Sequence, residues 1–162
     1  MSGMVVPGNR LDLAFVVKIV RRGEIEEVRF AELLTRRTVV SVYMRNNTPG
    51  CDRQNERLTA VAAELNRAGC NLVAVSRDTA GSHRRYAAAR KISHILVSDP
   101  TDQFASATGS LVQKSMYGRT FAGPARAAYL LERDGTVLGV VAKVVPAEHA
   151  AQLSELISNF RK

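Results

Sequence analysis

Apolar positions change their period repeatedly along this chain, and each period predicts an element. Alternation in LDLAFVVKIV (11–20), the turn RRGE and IEEVRF (25–30) predict an N-terminal β-hairpin. RFAELLTRR then holds a short helical turn. TVVSVYM (38–44) is β-branched and nearly all apolar, as a strand covered on both faces requires. Over 52–69, Leu58, Val61, Ala62, Leu65 and Ala68 recur at helical spacing, and Gly69 is placed to end the helix. NLVAVSRD (71–78) predicts a second buried strand, and Ser82 a cap for a helix over HRRYAAARK. HILVSD (94–99) predicts a third strand, and Pro100 suits the first turn of a short helix over TDQFASAT. GSLVQKSMYGRTFAGPAR reads as a loop. AAYLLERDGTVLGVVAKV (127–144) predicts a hairpin turning at Asp134-Gly135. Pro146 opens a last amphipathic helix with Ala150, Leu153, Leu156, Ile157 and Phe160 inward.

Strand–helix alternation followed by a hairpin and a closing helix predicts an α/β sandwich. Its central sheet is mixed, with parallel strands in the middle, helices on both faces and the 127–144 hairpin antiparallel. With no linker and no internal repeat, residues 1–162 are expected to form a single domain.

Composition narrows the function. At 46% hydrophobic and 23% charged residues the chain is ordinary for a globular protein. No apolar run approaches the ~20 residues that cross a bilayer. MSGMVVPGNR lacks a secretory pattern, and two cysteines do not make a disulfide scaffold, so the cytoplasm is expected. The net charge of +8 raises the question of nucleic acid. The basic residues fall in scattered pairs, such as Arg21-Arg22 and Arg36-Arg37, and aromatics are only 6%, which leaves few platforms for base stacking. No nucleic-acid role is expected. His83, His94 and His149 are too widely spaced to predict a metal site, and no glycine loop cradles a phosphate. No cofactor is implied.

Candidate chemistry gathers at RNNTPGC (45–51), between the strand VVSVYM and the helix that follows. In parallel α/β units reactive groups collect where strands end and helices begin. Backbone N–H groups there carry partial positive charge, which favours a thiolate at Cys51. Pro49 and Gly50 let the chain turn tightly, and Thr48 brings a hydroxyl to the same place. The competing reading is an inert buried thiol.

VVSVYMRNNTPGC resembles the active-site segment of peroxiredoxins, in the PrxQ or bacterioferritin comigratory protein branch, whose members read strand–YPKxxTPGC–helix. NRAGCNLVAVSRDTAGSH, ILVSDP, KSMYGRTFAG and ARAAYLLERDGTVLGVVAKV are similar to further blocks of that branch, in order, over roughly residues 38–150. The resemblance implies a thioredoxin-like fold and a thiol peroxidase without cofactor. Cys51 is then the nucleophile that takes oxygen from a hydroperoxide and becomes a sulfenic acid. Thr48 holds the peroxide oxygens, and the Arg126 guanidinium stabilises the thiolate and the leaving oxygen. Gln54, where the branch usually has Glu, supports them, with Tyr43, Met44, Pro49 and Gly50 completing the pocket. Thr48 stands where a CxxC oxidoreductase would have its first cysteine, which leaves peroxide reduction over disulfide exchange.

Three departures from the branch carry consequences. Glu56 occupies the position, five residues after the nucleophile, where many members carry a resolving cysteine, and HRRYAAARK lacks the alternative one. Cys70 follows the far end of the helix, on the order of 25 Å away at 1.5 Å per residue, beyond the ~7 Å reach of a disulfide. No internal resolving cysteine is therefore expected, and thioredoxin, glutaredoxin or glutathione becomes the reductant of a monomer or weak homodimer. Met44 replaces a proline, and Asp52 beside Cys51 is expected to oppose the thiolate. The alternative is a catalytically weakened paralogue that serves as a peroxide sensor or as an interaction or holdase module.

Overall fold

In a computed structural model the chain forms a seven-stranded mixed sheet with helices packed on it. The structure describes residues 4–116 and 118–160. Residues 1–3, from the opening MSGMVVPGNR, Tyr117, from the block KSMYGRTFAG, and residues 161–162 lie outside the described residues.

Strands β1 (Val16–Arg21) and β2 (Glu24–Arg29) form the expected N-terminal hairpin. Arg22 and Gly23 both take positive φ, the conformation of a tight primed turn. The strand begins at Val16 rather than at residue 11. Leu11 is still buried, but its N–H donates to the Gly135 carbonyl and ties this segment to the distant hairpin. A 3-10 turn, Phe30–Leu33, leads to β3 (Thr38–Val42), which is buried at every position.

Helix α1 (Pro49–Arg67) starts three residues before the predicted boundary, with proline at its first position, where no intrahelical N–H is needed. Leu58, Val61 and Leu65 form its buried stripe. Gly69 at φ +81 lets the chain leave the helix into β4 (Asn71–Ser76). Helix α2 (Ala80–Arg90) also begins earlier than expected. Its cap is Thr79, whose hydroxyl accepts from the Ser82 N–H, so Ser82 lies inside the first turn. After β5 (Ile95–Ser98), helix α3 (Gln103–Ala107) starts beyond Pro100, because the Asp99 carboxylate accepts from the N–H groups of Gln103 and Phe104.

The segment read as a loop is instead an antiparallel ribbon of β6 (Leu111–Met116) and β7 (Arg119–Pro124). Alternation does not mark it out, because the ribbon stands apart from the main sheet and Leu111, Val112, Gln113 and Ser115 are all exposed. Strands β8 (Ala128–Leu131) and β9 (Val137–Val141) make the C-terminal hairpin. A 3-10 turn at Pro146–Glu148 runs into α4 (His149–Ser158).

The sheet order is β2-β1-β5-β4-β3-β8-β9, with β3, β4 and β5 parallel in the middle. Side chains alternate across it. Val39, Ala128 and Leu130 meet α1, α2 and α4 on one face, while Val40, Val42, Tyr129 and Leu131 meet the first 3-10 turn and α3 on the other. Among the described residues no helix is long and apolar enough to cross a membrane.

Candidate active site

The site lies where β3 ends and α1 begins. The turn between them is held by a buried polar network. The Asn46 N–H donates to Asp78 Oδ2 at 2.9 Å, and the Tyr43 hydroxyl donates to Asn46 Oδ1 at 2.5 Å. The Asn46 amide approaches His83 Nδ1 at 3.1 Å, while His83 Nε2 lies 3.1 Å from the Val97 carbonyl. A carbonyl only accepts, so Nε2 carries the ring proton and Nδ1 accepts from Asn46. Burial pushes His83 down to about 4, which keeps this ring neutral. Asn47 adopts φ +62, and the chain then enters the helix at Thr48.

Cys51 stands in the first turn of α1 with 1% of its surface exposed. It is thus at the helix start as expected, and it is covered, as the competing reading of a buried thiol has it. Thr48 is the N-terminal flanking residue, and its hydroxyl donates to the Arg45 carbonyl at 2.8 Å. The hydroxyl oxygen keeps acceptor capacity for a ligand. Tyr43 is fully buried, Met44 packs at the edge of the same core, and burial raises the Tyr43 phenol well above its usual range.

Sheet pairing delivers Arg126. Strand β8 runs antiparallel to β3, and the Val42 N–H donates to the Ala127 carbonyl at 2.9 Å. The segment Arg126-Ala127 that leads into β8 therefore meets the C-terminal end of β3, close to where α1 starts. A methyl group on Gly50 would stand 3.6 Å from both Nη1 and Nη2 of Arg126, so the guanidinium lies against the residue next to Cys51. Gln54, fully buried, receives Arg126 Nη1 on its Oε1 at 3.0 Å. Its Nε2 donates to Ser41 Oγ at 2.8 Å and to the Val42 carbonyl at 3.1 Å. Thr48, Pro49, Gly50, Cys51, Gln54 and Arg126 are thus gathered in one place.

Asp52 does not direct an unbalanced charge at the thiol. Its carboxylate accepts from Arg90 Nη2 at 2.8 Å and from the Tyr86 hydroxyl at 2.7 Å, both on α2, and from the Asn47 N–H at 3.1 Å. Cys70, beyond the far end of α1, is 5% exposed. Glu56 is exposed on a groove between α1 and α2 that it shares with Asn55 and Arg90.

The site predicted from the sequence does not include Ser41, Asn46 or His149. Ser41 had a visible signal, as a hydroxyl inside the otherwise apolar stretch VVSV, and its hydroxyl meets His149 Nε2 at 2.9 Å. Among the described residues no three His, Cys, Asp or Glu side chains gather where they could hold a metal ion.

The AhpC/TSA family model matches residues 12–140. Peroxiredoxin Bcp of Xanthomonas campestris pv. campestris is 33% identical over 112 residues, covering 69% of this chain and 70% of its own. Peroxiredoxin Bcp of Escherichia coli K12 is 30% identical over 112 residues, covering 69% of this chain and 72% of its own. Among solved structures, Xanthomonas campestris peroxiredoxin Q superposes with a TM-score of 0.84 at 24% identity, covering 98% of both chains. Peroxidoxin BcpB of Mycobacterium tuberculosis gives 0.80 at 21%, over 98% of this chain and 99% of its own. These likenesses establish the thioredoxin-like fold. Together with the family match over most of the chain, they mean that this protein belongs to the AhpC/TSA family of peroxiredoxins, in its Bcp/PrxQ branch.

Proposed function

We propose that this chain is a thiol peroxidase that works with one cysteine of its own. The peroxidase activity follows from its place in the Bcp/PrxQ branch. The one-cysteine cycle is the finer reading. The observation that carries it is Cys51 in the first turn of α1, with the Arg126 guanidinium laid against Gly50 and no cysteine at position 56.

In this reading the Cys51 thiolate attacks the terminal oxygen of a hydroperoxide. The S–O bond forms as the O–O bond breaks. Sulfur is oxidised to the sulfenic acid, and the remaining oxygen leaves as hydroxide or alkoxide and takes up a proton to become water or an alcohol. The Arg126 guanidinium lies where negative charge grows on the departing oxygen, and the Thr48 oxygen accepts the peroxide O–H. Gln54 holds Arg126 in place. An outside thiol then attacks the sulfenic sulfur and releases water. A second thiol frees Cys51 and carries away the disulfide. Thioredoxin, glutaredoxin and glutathione, in the reducing cytoplasm, are the candidate donors.

Steady-state peroxide consumption with each of these three systems tests the cycle. Sustained turnover that vanishes in Cys51→Ser is the expected result. The near-complete burial of Cys51 favours a second reading, because a covered sulfenic acid is slow to meet an outside thiol and persists as a signal. One stoichiometric oxidation followed by arrest with every donor would select this sensor reading and reject the cycle.

A further inference from the structure

A directional chain of hydrogen bonds runs from Arg126 to the start of α4. Gln152 Nε2 donates to the Lys143 carbonyl at 3.1 Å, which fixes its Oε1 as an acceptor, and the Val145 N–H donates to that oxygen at 3.2 Å. His149 Nδ1 lies 3.2 Å from the same oxygen and must carry the ring proton. His149 Nε2 is then bare, and it accepts from Ser41 Oγ at 2.9 Å. With its hydrogen committed to the histidine, Ser41 can only accept from Gln54 Nε2. The Val42 carbonyl, also acceptor-only, holds that nitrogen from a second side. Gln54 Oε1 is thereby turned toward Arg126. Backbone carbonyls pin both ends, so the polarity of the chain follows from chemistry.

We propose that His149 is a positioning residue for Arg126, acting through Ser41 and Gln54 to hold the guanidinium beside the first turn of α1. The central side chains of the relay, Ser41, Gln54 and His149, are fully buried, so none of the three can exchange its partner for water. Burial first, and the nearby Arg126 charge in addition, push His149 down to about 4, against the Gln152 contact, which raises it. The ring therefore stays neutral, as the relay requires. The catalytic consequence rests on Cys51 being the peroxidatic thiol, whereas the positioning does not.

Two measurements separate these. Side-chain nitrogen NMR, with the Arg126 signal assigned through Arg126→Lys, reads the guanidinium without peroxide. His149→Leu is expected to speed water exchange of the Arg126 N–H groups about tenfold, and His149→Gln, which returns an acceptor near the Nε2 position, to restore most of the protection. Unchanged exchange in His149→Leu overturns the proposal. Ser41→Ala cuts the relay with a smaller change and serves if His149→Leu does not fold. The rate constant for Cys51 oxidation supplies a double-mutant cycle. A loss of about tenfold from His149→Leu is expected to shrink below about twofold in the Arg126→Lys background. Equal losses in both backgrounds mean a general structural role and reject the proposal. If wild-type Cys51 does not react with peroxide at all, the peroxidase reading fails while the exchange measurement still judges the relay.

Discussion

Arg126 Nη1 donates to Gln54 Oε1 at 3.0 Å across 72 residues of sequence. That bond joins the hairpin that ends the sheet to the helix that begins at Pro49. It fixes a cation against Gly50, the residue before Cys51, and because the partner is a neutral amide the bond leaves the positive charge uncompensated. Arg126→Ala is expected to lower the rate constant for peroxide on Cys51 by about a hundredfold, and Gln54→Leu by about tenfold. Stopped-flow oxidation of each variant checks the order of the two losses.

The burial of Cys51 makes a size-dependent prediction. One equivalent of hydrogen peroxide, followed by a sulfenic-acid probe and mass spectrometry, is expected to label Cys51 and leave Cys70 unlabelled. A bulky aromatic disulfide is expected to react with folded Cys51 at least about tenfold more slowly than with the denatured chain, because 1% exposure admits only small molecules. Equal rates in the two states would contradict the covered geometry.

Asp52 tests whether an adjacent carboxylate weakens the thiolate. Its charge is already balanced by Arg90, a pair only partly exposed, with side chains 37% and 15% accessible. Asp52→Asn is therefore expected to change the peroxide rate constant by less than about threefold. A rise well beyond that would mean that the carboxylate opposes the thiolate in spite of its partners.

Acid acts through the buried histidines. His83, His94 and His149 are each pushed from 6.5 down to about 4, with burial as the largest cause. Because the folded value lies below the unfolded one, the unfolded chain binds protons first as pH falls. Their stabilising contribution is complete above about pH 6.5 and is lost progressively toward pH 4, on the order of 3 kcal/mol for each ring. Urea midpoints at neutral pH and near pH 4.5 are expected to differ accordingly, with a smaller difference in His83→Gln. A midpoint that stays constant over this window refutes the assignment.

Much of the sheet was legible because strands and helices announce themselves by local periodicity. TVVSV could only be a covered strand, and Leu58, Val61 and Leu65 could only be one face of a helix. The boundaries at Pro49, Thr79 and Asp99 were less legible, since capping depends on where a single side chain points. The ribbon at Leu111–Pro124 was missed because it pairs only with itself, apart from the main sheet, and consecutive residues Leu111, Val112 and Gln113 are all exposed.

The chain by itself determined the elements of its fold, the thiol at the strand–helix junction and its likeness to the peroxiredoxins, because all of these are written in neighbouring residues. Only the tertiary structure decided which distant groups serve that junction. Antiparallel pairing of β8 with β3 carries Arg126 to Gly50, the α2 surface takes up the charge of Asp52, and α4 delivers His149 to Ser41. These contacts close loops that run from 38 residues, for Asp52 and Arg90, to 108, for Ser41 and His149. No local pattern encodes such a closure, since its free energy comes from the packed sheet that holds the two ends together.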